Sequence, residues 1–134
     1  MGYMIQEPNI LVRGNVECMR ARIFHTDDGT AVDLAPPLPV GTQIIGMSVK
    51  VTELFDDTGT DLLEVGWAAD PNALAKTADV DMTTTGTYSA FTGDNAAPFQ
   101  IASARTIQAL YNGSNSDATT GIADVTIWFA PMSV

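Results

Sequence analysis

Within residues 42–55, apolar and polar side chains alternate, and this pattern limits the fold more than any other feature of the chain. The apolar positions are Ile45, Met47, Val49 and Val51, and the positions between them are Gly46, Ser48, Lys50 and Thr52. A repeat of two residues is that of a β-strand, whose successive side chains point to opposite faces. The pattern predicts a long strand with one face in the core and the other in solvent.

Three further segments, residues 16–24, 63–67 and 121–130, show the same alternation. The residues predicted to face the core are Met19, Ala21, Ile23, Leu63, Val65, Trp67, Ala123, Val125, Ile127 and Phe129. Cys18, Arg20, Arg22 and Trp128 fall on the opposite faces. Residues 99–111 read as one long strand with a bulge near Ala104 or Arg105. One side carries Ile101, Ser103, Arg105, Ile107, Ala109 and Tyr111, and the other carries Ala102, Thr106 and Leu110.

Turn signals separate these segments. Asp28-Gly29 and the run of small polar residues at 56–60 are typical of tight turns, and we expect residues 56–60 to close a hairpin. Pro36, Pro37 and Pro39 cannot donate ladder hydrogen bonds, so they forbid a central strand. They predict a connection that crosses between sheets or covers a sheet edge.

One short helix is predicted in residues 69–76, because Asp70 can cap free amide groups and Pro71 suits the first helical position. With seven or eight short strands, the chain is predicted to be all-β, an antiparallel β-sandwich or jelly roll. Residues 1–15 lack a helical repeat and are predicted to be an extended N-terminal arm. Residues 16–134 then form a single β-sandwich domain, as the length of 134 residues allows.

Charge and composition exclude several classes of function. Charged residues make up 16% of the chain, and the net charge of −10 repels phosphate backbones, which argues against nucleic-acid binding. No run of apolar residues is long enough for a membrane helix, and the first residues lack the pattern of a secretory signal. The N-terminal quarter is the least acidic part, so it is the segment most suited to an acidic partner surface.

No catalytic, cofactor or metal motif is present in the sequence. His25 is the only histidine, Cys18 is the only cysteine, and no Gly-x-Ser-x-Gly elbow occurs. The oxygen-rich loops at Asp56 and Asp79 contain ligands that calcium accepts, but they lack the glycine and glutamate spacing of a calcium loop. We therefore predict no enzyme activity, no cofactor and no metal.

The stretch Ile44–Phe55, its polar turn and the following Leu63-Glu64-Val65-Gly66-Trp67 resemble small structural proteins of tailed-phage virions. The closing residues 109–125 are similar to the same group. The resemblance implies a non-enzymatic capsid decoration or cement protein, a homotrimer that binds the major capsid protein on the outer surface of the head. It would be made in the host cytoplasm, and it transfers no functional residue position by position.

Candidate contact residues follow from the physical character of the chain. They are Arg13 of the arm, Pro36, Pro37 and Pro39 of the proline segment, and the outward-facing Trp128. The alternative is a carbohydrate-binding or receptor-binding module of a tail or fibre, which would use Tyr88, Tyr111 and Trp128 as exposed aromatics. The sequence leaves open the location in head or tail, the host and the copy number.

Overall fold

A computed structural model describes residues 16–95 and 99–131. The strands in chain order are β1 (Glu17–Phe24), β2 (Val32–Leu38), β3 (Gln43–Glu53), β4 (Asp61–Trp67), β5 (Asp70–Ala75), β6 (Gly86–Tyr88), β7 (Phe99–Gln100), β8 (Arg105–Gly113) and β9 (Ile122–Ala130). Two single-turn 3₁₀ segments, His25–Asp27 and Thr77–Asp79, lie between them. In this part of the chain, no helix is long and apolar enough to cross a lipid bilayer.

The strands form two antiparallel sheets. The first sheet has the order β1-β9-β3-β6, with β7 also paired to β3, and the second has the order β2-β8-β4-β5. Their inner faces share one core, in which Ile23 and Val125 of the first sheet and Leu63 and Ile107 of the second are fully buried. The predicted all-β antiparallel sandwich is confirmed, with nine strands where seven or eight were expected.

The alternation predicted for β1 and β9 is confirmed. Met19, Ala21 and Ile23 are buried while Cys18, Arg20 and Arg22 are exposed. Along β9, the inward residues Ala123, Val125, Ile127 and Phe129 are buried and Trp128 is exposed, but Thr126, also predicted to face out, is only 7% exposed. Both strands therefore present a regular outer face whose side chains are set by their register.

One residue of β3 departs from the prediction. The pairing of β3 with β9 shifts between Ile44 and Gly46, so that Ile44 is 1% exposed whereas Ile45 is 40% exposed. A bulge inserts one extra residue and reverses the alternation on one side of it. The inward assignment of Ile45 is therefore wrong, and those of Met47, Val49 and Val51 are right.

Two predicted connections differ because the chain crosses between sheets. Residues 56–60 do not close a hairpin, since β3 lies in the first sheet and β4 in the second. Residues 99–111 do not form one strand, since β7 pairs with β3 whereas β8 pairs with β2 and β4. Ser103, predicted to share a side with Ile101 and Ile107, is exposed at the break between the two strands, whereas those two residues are buried. A turn signal marks where a strand ends but not which sheet the next strand joins.

The proline segment is an edge strand. Pro36 and Pro37 lie within β2 at the margin of the second sheet, where the pairing with β8 shifts between Leu34 and Leu38. The prediction that no central strand forms here is confirmed. The crossing to the first sheet follows in residues 39–42, where Thr42 donates a backbone hydrogen bond to Pro39.

The predicted short helix is wrong, because Asp70–Ala75 is the edge strand β5. Trp67 pairs with Asp70 across a tight turn, and Val65 pairs with Ala75. A Cβ added at Gly66 would lie 2.2 Å from the backbone oxygen of Asp70, so this glycine lets the two strands approach closely. The Asp-Pro signal is local, and pairing with β4 together with burial of residues 73–75 outweighs it.

Candidate partner-binding surface

The outer surface of β1, β9 and β3 carries three cross-strand rows of side chains. The rows are Cys18–Trp128–Gly46, Arg20–Thr126–Ser48 and Arg22–Asp124–Lys50. We call this surface the cationic face. It exists because the inward residues of the same strands fill the core, which leaves the alternate positions on the outer side of the sheet. Thr126, on the central strand β9, is itself only 7% exposed.

Three basic side chains of the cationic face surround one carboxylate. Arg22 donates two hydrogen bonds to Asp124, of 2.8 Å from Nε and 3.1 Å from Nη2. This bidentate bond holds the pKa of Asp124 below its usual value against the effect of its partial burial, and the positive charges of Arg22, Arg20 and Lys50 lower the pKa further. With three cations around one anion, these rows are net positive in a chain of net charge −10.

Trp128 lies at one end of the cationic face. Its side chain is 38% exposed and sits between Cys18 and Gly46 in the cross-strand row. A Cβ built at Gly46 would meet no atom within 4 Å, so the space above this residue, beside the indole, is open to solvent. The bulge that exposes Ile45 adds an apolar side chain next to Gly46. The result is an accessible aromatic bordered by small and apolar residues.

The outer face of the second sheet has the opposite sign. In its cross-strand rows, Gln108 lies between Asp33 and Gly66, and Glu64 lies beside Leu110. Gln108 donates a 2.9 Å hydrogen bond to Asp33. The charged side chains of these two rows, Asp33 and Glu64, are both acidic.

The prolines among the predicted contact residues do not lie on the cationic face. Pro36, Pro37 and Pro39 are exposed, but they belong to the edge strand of the second sheet and to the connection after it. Arg13 and the whole predicted arm, residues 1–15, lie outside the described residues. Of the predicted contact residues, the structure therefore places only Trp128 among the basic side chains Arg20, Arg22 and Lys50.

Sequence reasoning identified each outward position of this face separately but not the face itself. Arg20 and Arg22 come from β1 and Lys50 from β3, and these two strands meet only because β9 pairs with both. The sequence feature that could have indicated this face is that the basic residues of two alternating segments all fall on the outward-facing positions. That feature gives the side of a sheet but not the order of its strands.

One end of the sandwich contains a cluster of hydrogen-bonded carboxylates, formed by Asp56, Asp57 and Asp61 against residues 111–120. We call it the acidic loop end. Asp56 accepts hydrogen bonds from the Thr119 hydroxyl at 2.7 Å and from the backbone N–H groups of Thr119 and Thr120 at 2.6 and 2.9 Å. These bonds, with that from the Thr119 hydroxyl the largest contributor, lower the pKa of Asp56 to about 2.

Asp57 is bonded in the same manner. Its two oxygens accept backbone hydrogen bonds from Gly59 at 2.7 Å and from Asn115 and Asp117 at 3.1 Å each. These bonds outweigh the opposing effect of burial, so that the pKa of Asp57 is lowered. The carboxylate holds the loop after β8 against the loop after β3.

Asp61 and Tyr111 form a buried pair beside these loops. The Tyr111 hydroxyl donates a 2.6 Å hydrogen bond to Asp61 Oδ1, and both residues are at most 7% exposed. Asp61 Oδ2 has no hydrogen-bond partner among the described residues. Burial raises the pKa of Asp61, and burial together with the Asp61 bond raises the pKa of Tyr111.

The histidine and the loop aspartates that the sequence offers as candidates for catalysis or metal binding instead hold loops in place. His25 Nδ1 lies 3.1 Å from the carbonyl oxygen of Ala118, which ties the first turn to the loop before β9. Asp79 holds Thr92 by two hydrogen bonds, and Asp81 holds Thr83 and Thr84. Within residues 16–95 and 99–131, no three His, Cys, Asp or Glu side chains are grouped so that they could hold a metal ion.

Comparisons of the sequence with protein-family models and with curated proteins find no match. The fold is similar to a chain in the capsid asymmetric unit of cyanophage Pam1, with a TM-score of 0.67 and 18% identity over 92% of this chain and 90% of that chain. It is also similar to a chain in the acidic stable capsid of Helicobacter pylori bacteriophage KHP30, with a TM-score of 0.65 and 16% identity over 88% and 89% of the two chains. At these identities the likeness shows the fold, and its coverage shows that both matched chains are about as long as this one.

Proposed function

We propose that this protein is a non-enzymatic structural component of a tailed-phage virion, a decoration or cement protein that binds the major capsid protein. One observation carries the proposal: the fold follows, over about nine-tenths of both chains, small chains from two phage capsids. A fold alone does not determine function, but small whole chains found in two capsid structures favour a structural role in the virion.

The proposed mechanism is stabilisation by binding. A protein that binds the assembled shell and not its separated subunits shifts the equilibrium towards the shell by mass action. Contacts that span the boundary between capsomers would resist the pressure of packaged DNA. We propose a homotrimer on the outer surface of the head, made in the host cytoplasm, with an acidic solvent-facing surface that stays hydrated.

Further contacts are proposed for the parts of the chain predicted to clasp neighbours. Residues 1–15, with Arg13, form the proposed arm that reaches a neighbouring subunit, and residues 16–134 form the proposed domain. Pro36, Pro37 and Pro39 provide an exposed, stiff edge on the second sheet. Such an edge suits a lateral contact between copies rather than strand addition, because proline donates no ladder hydrogen bond.

The alternative, a carbohydrate-binding or receptor-binding module, would use Tyr88, Tyr111 and Trp128 as exposed aromatics. Tyr111 is fully buried, so it is not available to a sugar. Tyr88 pairs with the inward-facing Val49, and its hydroxyl donates to the backbone oxygens of Asp81 or Thr84. Trp128 faces the other side of the same sheet, so these three residues do not form a common surface.

The test begins with the oligomeric state and ends on the capsid. Purified protein is measured by size exclusion with light scattering, then mixed with heads that lack it and imaged by cryo-electron microscopy. We expect a trimer and regular added density at capsomer junctions. Heads already saturated with the protein serve as the control and should gain no density. A protein that leaves the heads undecorated and is retained on a glycan array would overturn the proposal.

A further inference from the structure

We infer that the cationic face is the surface that docks on the capsid, and that it takes an acidic patch of the capsid shell. The inference rests on the proposed function and names the part of this chain that performs it. It is carried by the grouping of Arg20, Arg22 and Lys50 beside Trp128 on three adjacent strands.

The distribution of basic residues sets this face apart. The described residues contain five lysines and arginines, of which three lie in the rows of the cationic face. The other two are engaged elsewhere: Lys76 pairs with Asp94 at 3.2 Å, and the Arg105 guanidinium lies 4.6 Å from the Trp67 ring centre. In an acidic protein, an acidic partner can therefore approach this face with less repulsion than the other surfaces formed by residues 16–95 and 99–131.

The basic side chains are also available for contact. Arg20 and Lys50 are exposed, and neither forms an ion pair within 4 Å among the described residues. Arg22 is held by Asp124, yet its side chain is still 55% exposed. A carboxylate of the partner could thus pair with Arg20 and Lys50 without breaking a bond that the fold already uses.

Trp128 supplies the apolar anchor that such a contact needs. Tryptophan and arginine are the residues most enriched among those that dominate binding energy in interfaces. The open space at Gly46, which pairs with Trp128, would let a partner side chain pack along the indole. Since all these groups sit on strands, the face is preorganised and binding need not order a loop.

A second copy of this chain is a poorer occupant than an acidic capsid patch. The complementary acidic rows, with Asp33 and Glu64, lie on the outer face of the other sheet and so on the opposite side of the sandwich. A contact between opposite sides of one molecule repeats in the same direction and gives an open stack rather than a closed trimer. The cationic face is therefore left for a different protein.

The test reverses charge on the face while sparing the Arg22–Asp124 pair. The variant Arg20→Glu/Lys50→Glu is compared with a control, Lys76→Glu/Asn72→Asp/Asn112→Asp, which changes the net charge by the same amount away from the face. Binding to undecorated heads is measured at several salt concentrations, and circular dichroism checks that both variants fold. A milder variant, Arg20→Gln/Lys50→Gln, replaces the first if that one does not fold.

We expect the face variant to bind about 100-fold more weakly, because juxtaposed like charges are strongly unfavourable at an interface. The control should stay within about threefold of the wild type, whose own affinity should fall as salt rises. A face variant that binds like the wild type overturns this inference and leaves the proposed function standing. A wild type that does not bind heads overturns both. A face variant that binds normally to heads but loses the trimer would assign the face to contacts between copies instead.

Discussion

The acidic loop end and the cationic face use charged side chains in opposite ways. At the acidic loop end, Asp56 and Asp57 each accept three hydrogen bonds from groups of the surrounding loops, so their carboxylates hold these loops together. On the cationic face, Arg20 and Lys50 point into solvent without such bonds. Charged side chains therefore contribute to the stability of the fold at the acidic loop end, whereas on the cationic face they are available to bind a partner.

This contrast follows from where backbone groups are left without partners. Loops that cross between sheets have backbone N–H groups that pair with no neighbouring strand. At the acidic loop end, these groups donate hydrogen bonds to carboxylates instead. The central strands β9 and β3 form backbone hydrogen bonds with each other, so their outward side chains are not needed to bond backbone groups. Changes at the acidic loop end should therefore alter folding, whereas changes on the cationic face should alter binding.

The largest expected effect is at the apolar base of the acidic loop end. Phe55 is 1% exposed, its ring centre lies 4.6 Å from that of Tyr111, and Gly121 packs directly against it. We expect Phe55→Ala to lower the free energy of unfolding by about 3–5 kcal/mol, because it removes a buried ring and leaves a cavity. Urea unfolding followed by Trp fluorescence measures this.

Phe24 provides the matched control for that change. It is the same residue type at the end of β1, but it is 42% exposed. We expect Phe24→Ala to lower the free energy of unfolding by less than about 1.5 kcal/mol, since little apolar surface is buried there. Equal losses at the two positions would contradict the contrast between the two regions.

The second effect is on binding at the cationic face. Replacing the 38% exposed Trp128 by alanine should weaken binding to undecorated heads by about 30-fold, the equivalent of about 2 kcal/mol for an interface anchor. The free energy of unfolding should change by less than about 1 kcal/mol, as for most surface positions. Titration of labelled protein onto heads measures the affinity, and Trp128→Phe should retain part of it. A variant that unfolds readily but binds normally would reverse the roles assigned to the two regions.

The third effect returns to the acidic loop end. Tyr111→Phe removes the hydroxyl that donates to Asp61 and leaves the buried carboxyl without that bond. We expect the free energy of unfolding to fall by about 1–3 kcal/mol, as is usual when a buried polar group loses its partner. Denaturant titration measures this, and Tyr111→Phe/Asp61→Asn is the control that also removes the buried charge.

The pH dependence of that variant has a definite sign. Burial raises the pKa of Asp61 in the folded protein, and the Tyr111 bond opposes this rise by favouring the charged form. Without the hydroxyl the pKa rises further, so the folded state binds more protons and its stability is lost as pH increases through that pKa. The effect of Tyr111→Phe should therefore be larger at pH 7 than at pH 4, and an effect independent of pH would contradict the role given to Asp61.

These two regions also show which features of the fold the sequence predicts and which it does not. The parity of side chains in β1 and β9 followed from alternation, so the outward positions of Arg20, Arg22 and Trp128 were predicted correctly. The meeting of Arg20 with Lys50 could not be predicted, because strand order is decided by long-range pairing that short patterns do not encode. Ile45 was misassigned because a bulge changes parity without a sequence signal as strong as the alternation itself.

Local signals failed where tertiary contacts opposed them. The Asp70-Pro71 pair has the chemistry of a helix start, but residues 73–75 are all buried and Ala75 pairs with Val65 of β4. A helix one or two turns long is marginal by itself, so the pairing prevails. The acidic residues at 56–61 are of a type that calcium accepts, and their oxygens accept hydrogen bonds from backbone N–H groups and a tyrosine hydroxyl. Which donors face a carboxylate depends on the crossing of the chain between sheets.

The smallest expected effect is on the acid sensitivity that Asp56 gives to the acidic loop end. Its pKa is about 2 in the folded protein against 3.8 for an ordinary aspartate, so the folded state binds fewer protons than the unfolded chain between these values. The stability that Asp56 contributes is present above pH 3.8 and is lost as pH falls towards 2. Asp56→Asn should therefore flatten the loss of stability in this range, as measured by Tm against pH. Thr119→Val, which removes the hydroxyl donor but keeps both backbone N–H donors, should give an intermediate slope. If all three proteins lose stability in acid along the same curve, the hydrogen bonds to Asp56 do not contribute to folding, and the acidic loop end would be held by the bonds of Asp57 and by its apolar base of Phe55 and Tyr111.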